Sequence, residues 1–226
     1  MIEFKNVWKI YNHDTVALQD VSAKIALGEF VSLVGMSGAG KSTMVKLLLG
    51  EDRPTRGTVI FDGIVVHDLP RRELPLLRRR IGTVFQDFRL LPKLTAAENV
   101  AFAMEVAGRD RDEIERDVPQ VLELVGLGKR MPNFPHELSG GEQQRVAIAR
   151  ALVNHPDIII ADEATGNLDP TNTWEIVQLL TKINELGTTV ILATHDKEII
   201  NALDKRVIAL DKGKVIRDEA HGKYIA

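Results

Sequence analysis

The sequence predicts an α/β fold: a mostly parallel sheet, an antiparallel β subdomain at its N-terminus, and an α-helical subdomain inserted in the middle. Three observations predict it. The first 30 residues alternate apolar and polar positions (Ile2, Phe4, Val7, then Val16, Leu18, Val21), the period of antiparallel strands with one buried face. Short apolar runs then alternate with helical patterns, which implies parallel pairing through crossover helices. Between about Thr95 and His155 the pattern is helical throughout.

Taken in order, Phe30 to Val34 is a short apolar run, and a helical pattern follows from Lys41 to Leu49. Thr58 to Phe61 and Ile81 to Phe85 read as strands. The helical stretch divides into Thr95 to Val106, Arg111 to Val125 and Ser139 to Val153. Asp157 to Ala161 reads as a buried strand, Pro170 to Leu186 as a helix, and Thr188 to Ala193 as another apolar strand. A short helix over Asp196 to Leu203 precedes a hairpin, Val207 to Leu210 with Lys214 to Ile216, around Asp211-Lys212-Gly213. One domain is expected over residues 1–226, with the helical subdomain at approximately 88–155. No internal repeat or low-complexity segment occurs.

The 226 residues are 44% apolar and 27% charged, the composition of an ordinary soluble globular protein. A net charge of −3 gives no reason to expect nucleic acid as a partner. With no cysteine, a disulfide framework and cysteine-ligated zinc or iron–sulfur centres are excluded. The N-terminal MIEFKNVWKIYNHD lacks a signal-peptide pattern, and no apolar run reaches the ~18 residues of a spanning helix. A role at a membrane would therefore need a partner that spans it.

The stretch GMSGAGKST (Gly35, Met36, Ser37, Gly38, Ala39, Gly40, Lys41, Ser42, Thr43) fits G-x-x-x-x-G-K-[ST] between an apolar strand and a helix. In such a loop successive N–H groups form an anion nest, and the helix N-terminus adds roughly half a positive charge. Lys41 supplies a point charge for the β- and γ-phosphates, and Ser42 a hydroxyl ligand for Mg²⁺. The run IIIADE supplies the acids this chemistry needs. Asp162 is placed to hold the Mg²⁺ shell, and Glu163 to polarise the water that attacks the γ-phosphate. No N-K-x-D guanine-reading sequence occurs, which argues against a GTPase.

HELSGGEQQRVAIAR raises a separate question. Ser139 and Glu142 have capping-box spacing, yet Gly140 and Gly141 each cost about 1 kcal/mol relative to alanine inside a helix. Positions without side chains let a phosphate approach a helix N-terminus closely. One complete cradle already exists at Gly35 to Ser42, so this second feature reads as half of a site completed by another subunit.

The P-loop, ADE and LSGGE in this order make the chain resemble the nucleotide-binding cassette of ABC ATPases over nearly all its length. The resemblance implies a P-loop NTPase (RecA-like) core, Mg²⁺-dependent ATP hydrolysis, and a homodimer formed on ATP binding. It makes Tyr11 the aromatic that stacks on adenine and Gln86 the Q-loop glutamine, a catalytic and metal-binding position. Leu138 to Glu142 becomes the signature, Asp169 the D-loop aspartate and His195 the switch histidine. Without the family, Tyr11 is equally a half-buried strand aromatic, Gln86 a loop polar residue and His195 a helix cap. The usual proline after the catalytic glutamate is Ala164 here, which should leave catalysis intact with a slightly more mobile loop.

GNLD after ADEAT resembles the subgroup that serves lipoprotein release, macrolide-type export and cell division, and the texture of QDFRLLPKLTAAENVAFAMEV favours cell division. That implies a peripheral place on the cytoplasmic face of the cell membrane and an integral, FtsX-like membrane partner. The cycle would then control cell-wall hydrolases rather than transport a substrate; the ATPase of a lipoprotein-releasing or macrolide-type exporter is the alternative. Soluble family members that act on DNA or ribosomes fit less well. They carry coiled coils, zinc modules or paired cassettes, and none occurs here.

Phe88, Leu90, Leu91 and Leu94 follow Gln86, where the family docks the coupling helix of its membrane subunit; they read equally as helical core. The run RRELPLLRRR, Arg71 to Arg80, reads as a solvated helix face with its leucines turned inward, in preference to a lipid or nucleic-acid contact.

Overall fold

A computed structural model describes residues 1–12 and 14–223. β1 (Ile2–Tyr11) and β2 (Thr15–Ile25) pair antiparallel. β3 (Phe30–Val34) is buried at all five positions and leads through the glycine-rich loop into α1 (Lys41–Leu48). β4 (Arg56–Phe61) and β5 (Ile64–Val65) follow, then α2 (Leu74–Arg79) and β6 (Ile81–Phe85). α3 (Ala96–Ala107), α4 (Arg111–Leu124) and α5 (Gly140–Leu152) form the helical insertion. β7 (Ile158–Asp162), α6 (Pro170–Glu185), β8 (Thr189–Thr194), α7 (Lys197–Leu203), β9 (Arg206–Asp211) and β10 (Lys214–Glu219) complete the order.

The strands divide between two sheets. A four-stranded antiparallel sheet has the order β2-β1-β4-β5. The other has the order β10-β9-β3-β8-β7-β6 and is parallel except for its β9–β10 edge hairpin. The continuous apolar runs of β7 and β8 follow from having protein on both faces. Ile158, Ile160, Ile191 and Ala193 enter a core shared with α1 and the antiparallel sheet. Ile159, Ala161, Val190 and Leu192 enter a second core shared with α3 to α6. Among the described residues no helix is long and apolar enough to cross a membrane.

The basic run has more structure than a solvated face. Arg78 donates to Leu49 O (2.9 Å) and Gly50 O (3.3 Å), beyond the last turn of α1. Arg79 donates to Val106 O (3.0 Å) in the last turn of α3. Arg80 pairs with Asp62 (2.8 Å) and Asp157 (2.6 Å), with its guanidinium 4.7 Å from the Phe61 ring centroid. Cations at helix C-termini meet orphan carbonyls, and a forked guanidinium can reach two at once. Leu77 is buried as expected, but Leu76 is 58% exposed, so only part of the leucine reading holds.

Candidate functional site

The C-terminal ends of β3, β6, β7 and β8 lie side by side, the edge at which parallel sheets bind ligands. There a cleft of about 490 Å³ is lined by Ala17, residues 36–43 of the glycine-rich loop, Gln86, Glu163 and His195. Gly40 is the N-cap of α1 at φ 112°, and a Cβ there would lie 2.8 Å from Ala17 O. Only glycine fits that corner. It brings no side-chain cap, so α1 opens on the cleft with its N-terminus unfilled by its own residues.

Lys41 is buried, and its Nζ donates to Gly35 O (2.6 Å) and Met36 O (3.4 Å). The same nitrogen lies 3.5 Å from Glu163 Oε1, while Glu163 Oε2 is 2.8 Å from His195 Nδ1. One carboxylate therefore bridges the P-loop lysine and the histidine beyond β8. Glu163 adopts φ 52°, and its N–H donates to Ala193 O (2.9 Å). A proline at the next position would press Glu163 toward extended backbone. Ala164 imposes no such restriction, and it is buried.

Asp162 is the other carboxylate. Burial raises its pKa above the ordinary value and the Glu163 charge adds to this, while the Ser42 hydroxyl bond and Lys41 oppose it. Its Oδ1 is buried without a hydrogen-bond partner. An unpartnered carboxylate oxygen beside a serine hydroxyl is the donor set a hard cation such as Mg²⁺ takes. No group of three or more His, Cys, Asp or Glu gathers at a candidate metal site among the described residues, so a cation held by these two donors would need phosphate or water oxygens to complete its shell. Gln86 lines the cleft, but its Nε2 donates to Asn167 Oδ1 (3.0 Å), and Asn167 Nδ2 returns a bond to Gln86 O (3.1 Å). Tyr11 does not line the cleft; its hydroxyl donates to Asp52 and accepts from Thr43, which does.

Ser139, Gly140, Gly141, Glu142 and Asp169 do not line this cleft. Ser139 Oγ accepts from Glu142 N–H (3.2 Å), Glu142 Oε2 accepts from Ser139 N–H (2.9 Å), and Arg130 pairs with Glu142 (2.9 Å). Asp169 caps α6, accepting from Asn172 N–H (3.1 Å) and from the Asn172 side chain. That asparagine explains one glycine: a Cβ on Gly141 would lie 1.9 Å from Asn172 Oδ1. At Gly140 the nearest neighbour would be 3.5 Å away, an ordinary contact. Gly141 thus has a reason within the chain, and Gly140 has no steric one there.

Two further residues join these parts. Gln144 is fully buried on α5 and donates to Ala164 O (2.7 Å) and Phe85 O (3.4 Å), tying the ends of β7 and β6 to that helix. Its signal in the sequence is a polar residue on the stripe shared with Ala147 and Ile148. Arg150 donates to Phe88 O (2.9 Å) and Arg89 O (2.6 Å), where consecutive non-glycine residues have φ 56° and 48°. Phe88, Leu90, Leu91 and Leu94 are all half-buried, with Leu90 packed against the helical core.

A profile described as ABC transporter matches residues 18–166. The Bacillus subtilis (strain 168) cell division ATP-binding protein FtsE is 52% identical over 224 residues, 99% of this chain and 98% of that protein. The dimeric structure of MJ0796, a bacterial ABC transporter cassette, is 43% identical with a TM-score of 0.88, covering 99% of this chain and 100% of that one. Its dimeric post-hydrolysis state, bound to ADP and Pi, is 42% identical with a TM-score of 0.87 at the same coverage. With a P-loop, a neighbouring acid pair and a signature segment on this fold, the chain belongs to the ABC transporter family, as one of its ATP-binding, ATP-hydrolysing subunits.

Proposed function

We propose that the chain is the ATPase of an FtsE-like cell-division complex. Two copies close on ATP, and the cycle drives an integral, FtsX-like membrane partner from the cytoplasmic face to regulate cell-wall hydrolysis. The observation that carries the catalytic half is the Glu163 carboxylate held between Lys41 and His195 at the mouth of the phosphate loop. The cell-division half is supported by 52% identity to FtsE proteins over 99% of the chain, in Bacillus subtilis and in Mycobacterium tuberculosis alike.

The cleft geometry and the family resemblance together support a role for each residue. Loop N–H groups from Gly35 to Thr43 and the N-terminus of α1 receive the phosphates, and Lys41 turns its charge from Glu163 to the γ-phosphate. Glu163 then accepts the proton of the attacking water, with His195 orienting that carboxylate and sharing the growing negative charge. Ser42 and Asp162 would hold Mg²⁺, with Gln86 beside them; when bound, the ion neutralises charge on the transferring phosphoryl group. Tyr11 offers its ring to adenine. Ser139, Gly140 and Glu142 of a second copy would close the site at the start of α5, with Asp169 at the same seam.

Glu163→Gln tests the base. In ATP and Mg²⁺ the variant should elute as a dimer on size exclusion and release phosphate at least about 100-fold more slowly than the unmodified chain. Release at the unmodified rate would remove Glu163 from that role. A pull-down from membranes tests the partner: an FtsX-like protein supports the cell-division reading, and a lipoprotein-releasing or macrolide-type permease moves it to the exporter alternative.

A further inference from the structure

Lys9 is out of place for a lysine. It lies on β1 with its side chain only 11% exposed, whereas lysines are almost never buried without a partner. Its Nζ pairs with Asp52, donates to Arg53 O (2.9 Å) and sits 4.6 Å from the centroid of the Tyr11 ring. Asp52 accepts from the Tyr11 hydroxyl as well as from Lys9, and the Thr43 hydroxyl donates to that same Tyr11 oxygen. Burial would raise the Asp52 pKa, yet Lys9 and Tyr11 bring it below its ordinary value, so the carboxylate stays charged. Tyr11 is therefore held twice, by a cation over one ring face and by a hydroxyl fixed at its tip.

We propose that Lys9 and Asp52 are positioning residues for adenine: they lock the Tyr11 ring with one face free for the base and tie it to the phosphate cradle through Thr43. The inference rests on reading Tyr11 as the adenine-stacking residue. A tyrosine has few torsions to fix, and fixing both before binding removes the ordering cost that base stacking would otherwise carry. Because Thr43 belongs to the loop that takes the phosphates, base and phosphates meet surfaces set at one mutual distance. A pair that only staples β1 to the chain after α1 would favour no nucleotide part over another.

The test separates base from phosphates. ATP and inorganic tripolyphosphate, each with Mg²⁺, are titrated by calorimetry into the full chain. Lys9→Met with Asp52→Asn, which removes both charges together, should weaken ATP roughly three- to tenfold and tripolyphosphate less than about twofold. Lys9→Arg, which keeps a cation over the ring, should hold ATP affinity within about twofold. Tyr11→Ala should abolish the preference for ATP over tripolyphosphate. If it does not, the stacking role of Tyr11 falls and this proposal with it. If Tyr11→Ala abolishes the preference while the double variant keeps it, the positioning pair alone is overturned. Equal losses for both ligands in the double variant also overturn the pair, leaving it a staple of the fold. Should that variant not fold, Asp52→Asn alone is read by the same criteria.

Discussion

The starts of α1 and α5 both carry glycine, and they are built differently. α1 starts after the N-cap Gly40, which has no side chain to cap it, whereas α5 starts after Ser139 with a complete capping box, Ser139 and Glu142 each satisfying the other's N–H. The first four N–H groups of any helix lack internal partners. At α1 no side chain caps them. At α5 the chain satisfies part of the set itself, so that helix start is stable without a ligand and can only supplement an anion held elsewhere. Glycine marks both segments for different reasons: at Gly40 the backbone requires it, and at Gly141 a neighbouring side chain does.

The comparison breaks most visibly at the lysine. Lys41→Ala should lower kcat/KM for ATP at least about 100-fold, since a cation clamping the transferring phosphate contributes heavily to the transition state. A phosphate-release assay reads it, and near-normal turnover would mean that the α1 cradle is not the catalytic one. Next comes the second glycine. Gly141→Ala should cost about 1–3 kcal/mol in denaturant unfolding, the usual range for overpacking. Adding Asn172→Ala should recover part of that loss. Gly140→Ala should stay within about 0.5 kcal/mol, as expected where no contact is overfilled. Equal costs at the two glycines would refute the steric assignment.

A smaller effect sharpens the contrast from the cradle side. The folded chain raises the Asp162 pKa, chiefly by burial, so its stability contribution is full below the unfolded carboxylate value of about 4 and is lost as pH rises through the raised folded value. Asp162→Asn lacks that loss. The difference in nucleotide-free urea midpoints, variant minus unmodified, should therefore climb with pH from about 4 and then level off. A flat difference would mean that the aspartate is not desolvated in the resting protein.

How much of this could be read from the chain depends on the range of the forces involved. The P-loop, the acid pair and the capping box are local patterns, and β3 and β6 end where their apolar runs end. Parallel strands with protein on both faces announced themselves as unbroken apolar runs. The partners of long-range ties are not spelled in the local pattern: Arg150 holds carbonyls 61 and 62 residues away, and Gln144, though it stands out as a polar residue on an apolar stripe, holds carbonyls 20 and 59 residues away. The clash that fixes Gly141 needs Asn172, brought alongside only when α6 packs near α5. The arginines of α2 failed to declare themselves for the opposite reason, because charge in a short polar run looks like solvation until the carbonyls it meets are in place.

Those arginines have a mechanical consequence. The helical insertion joins the rest of the chain at two crossings, after β6 and before β7. Beside the shared core and the Gln144 bonds, Arg79 adds a fastening at the far end of α3, while its neighbour Arg78 grips the chain just past α1. Any swing of the insertion must then either slip that fastening or carry α2 with it, and α2 pulls on the helix that starts at the phosphate loop.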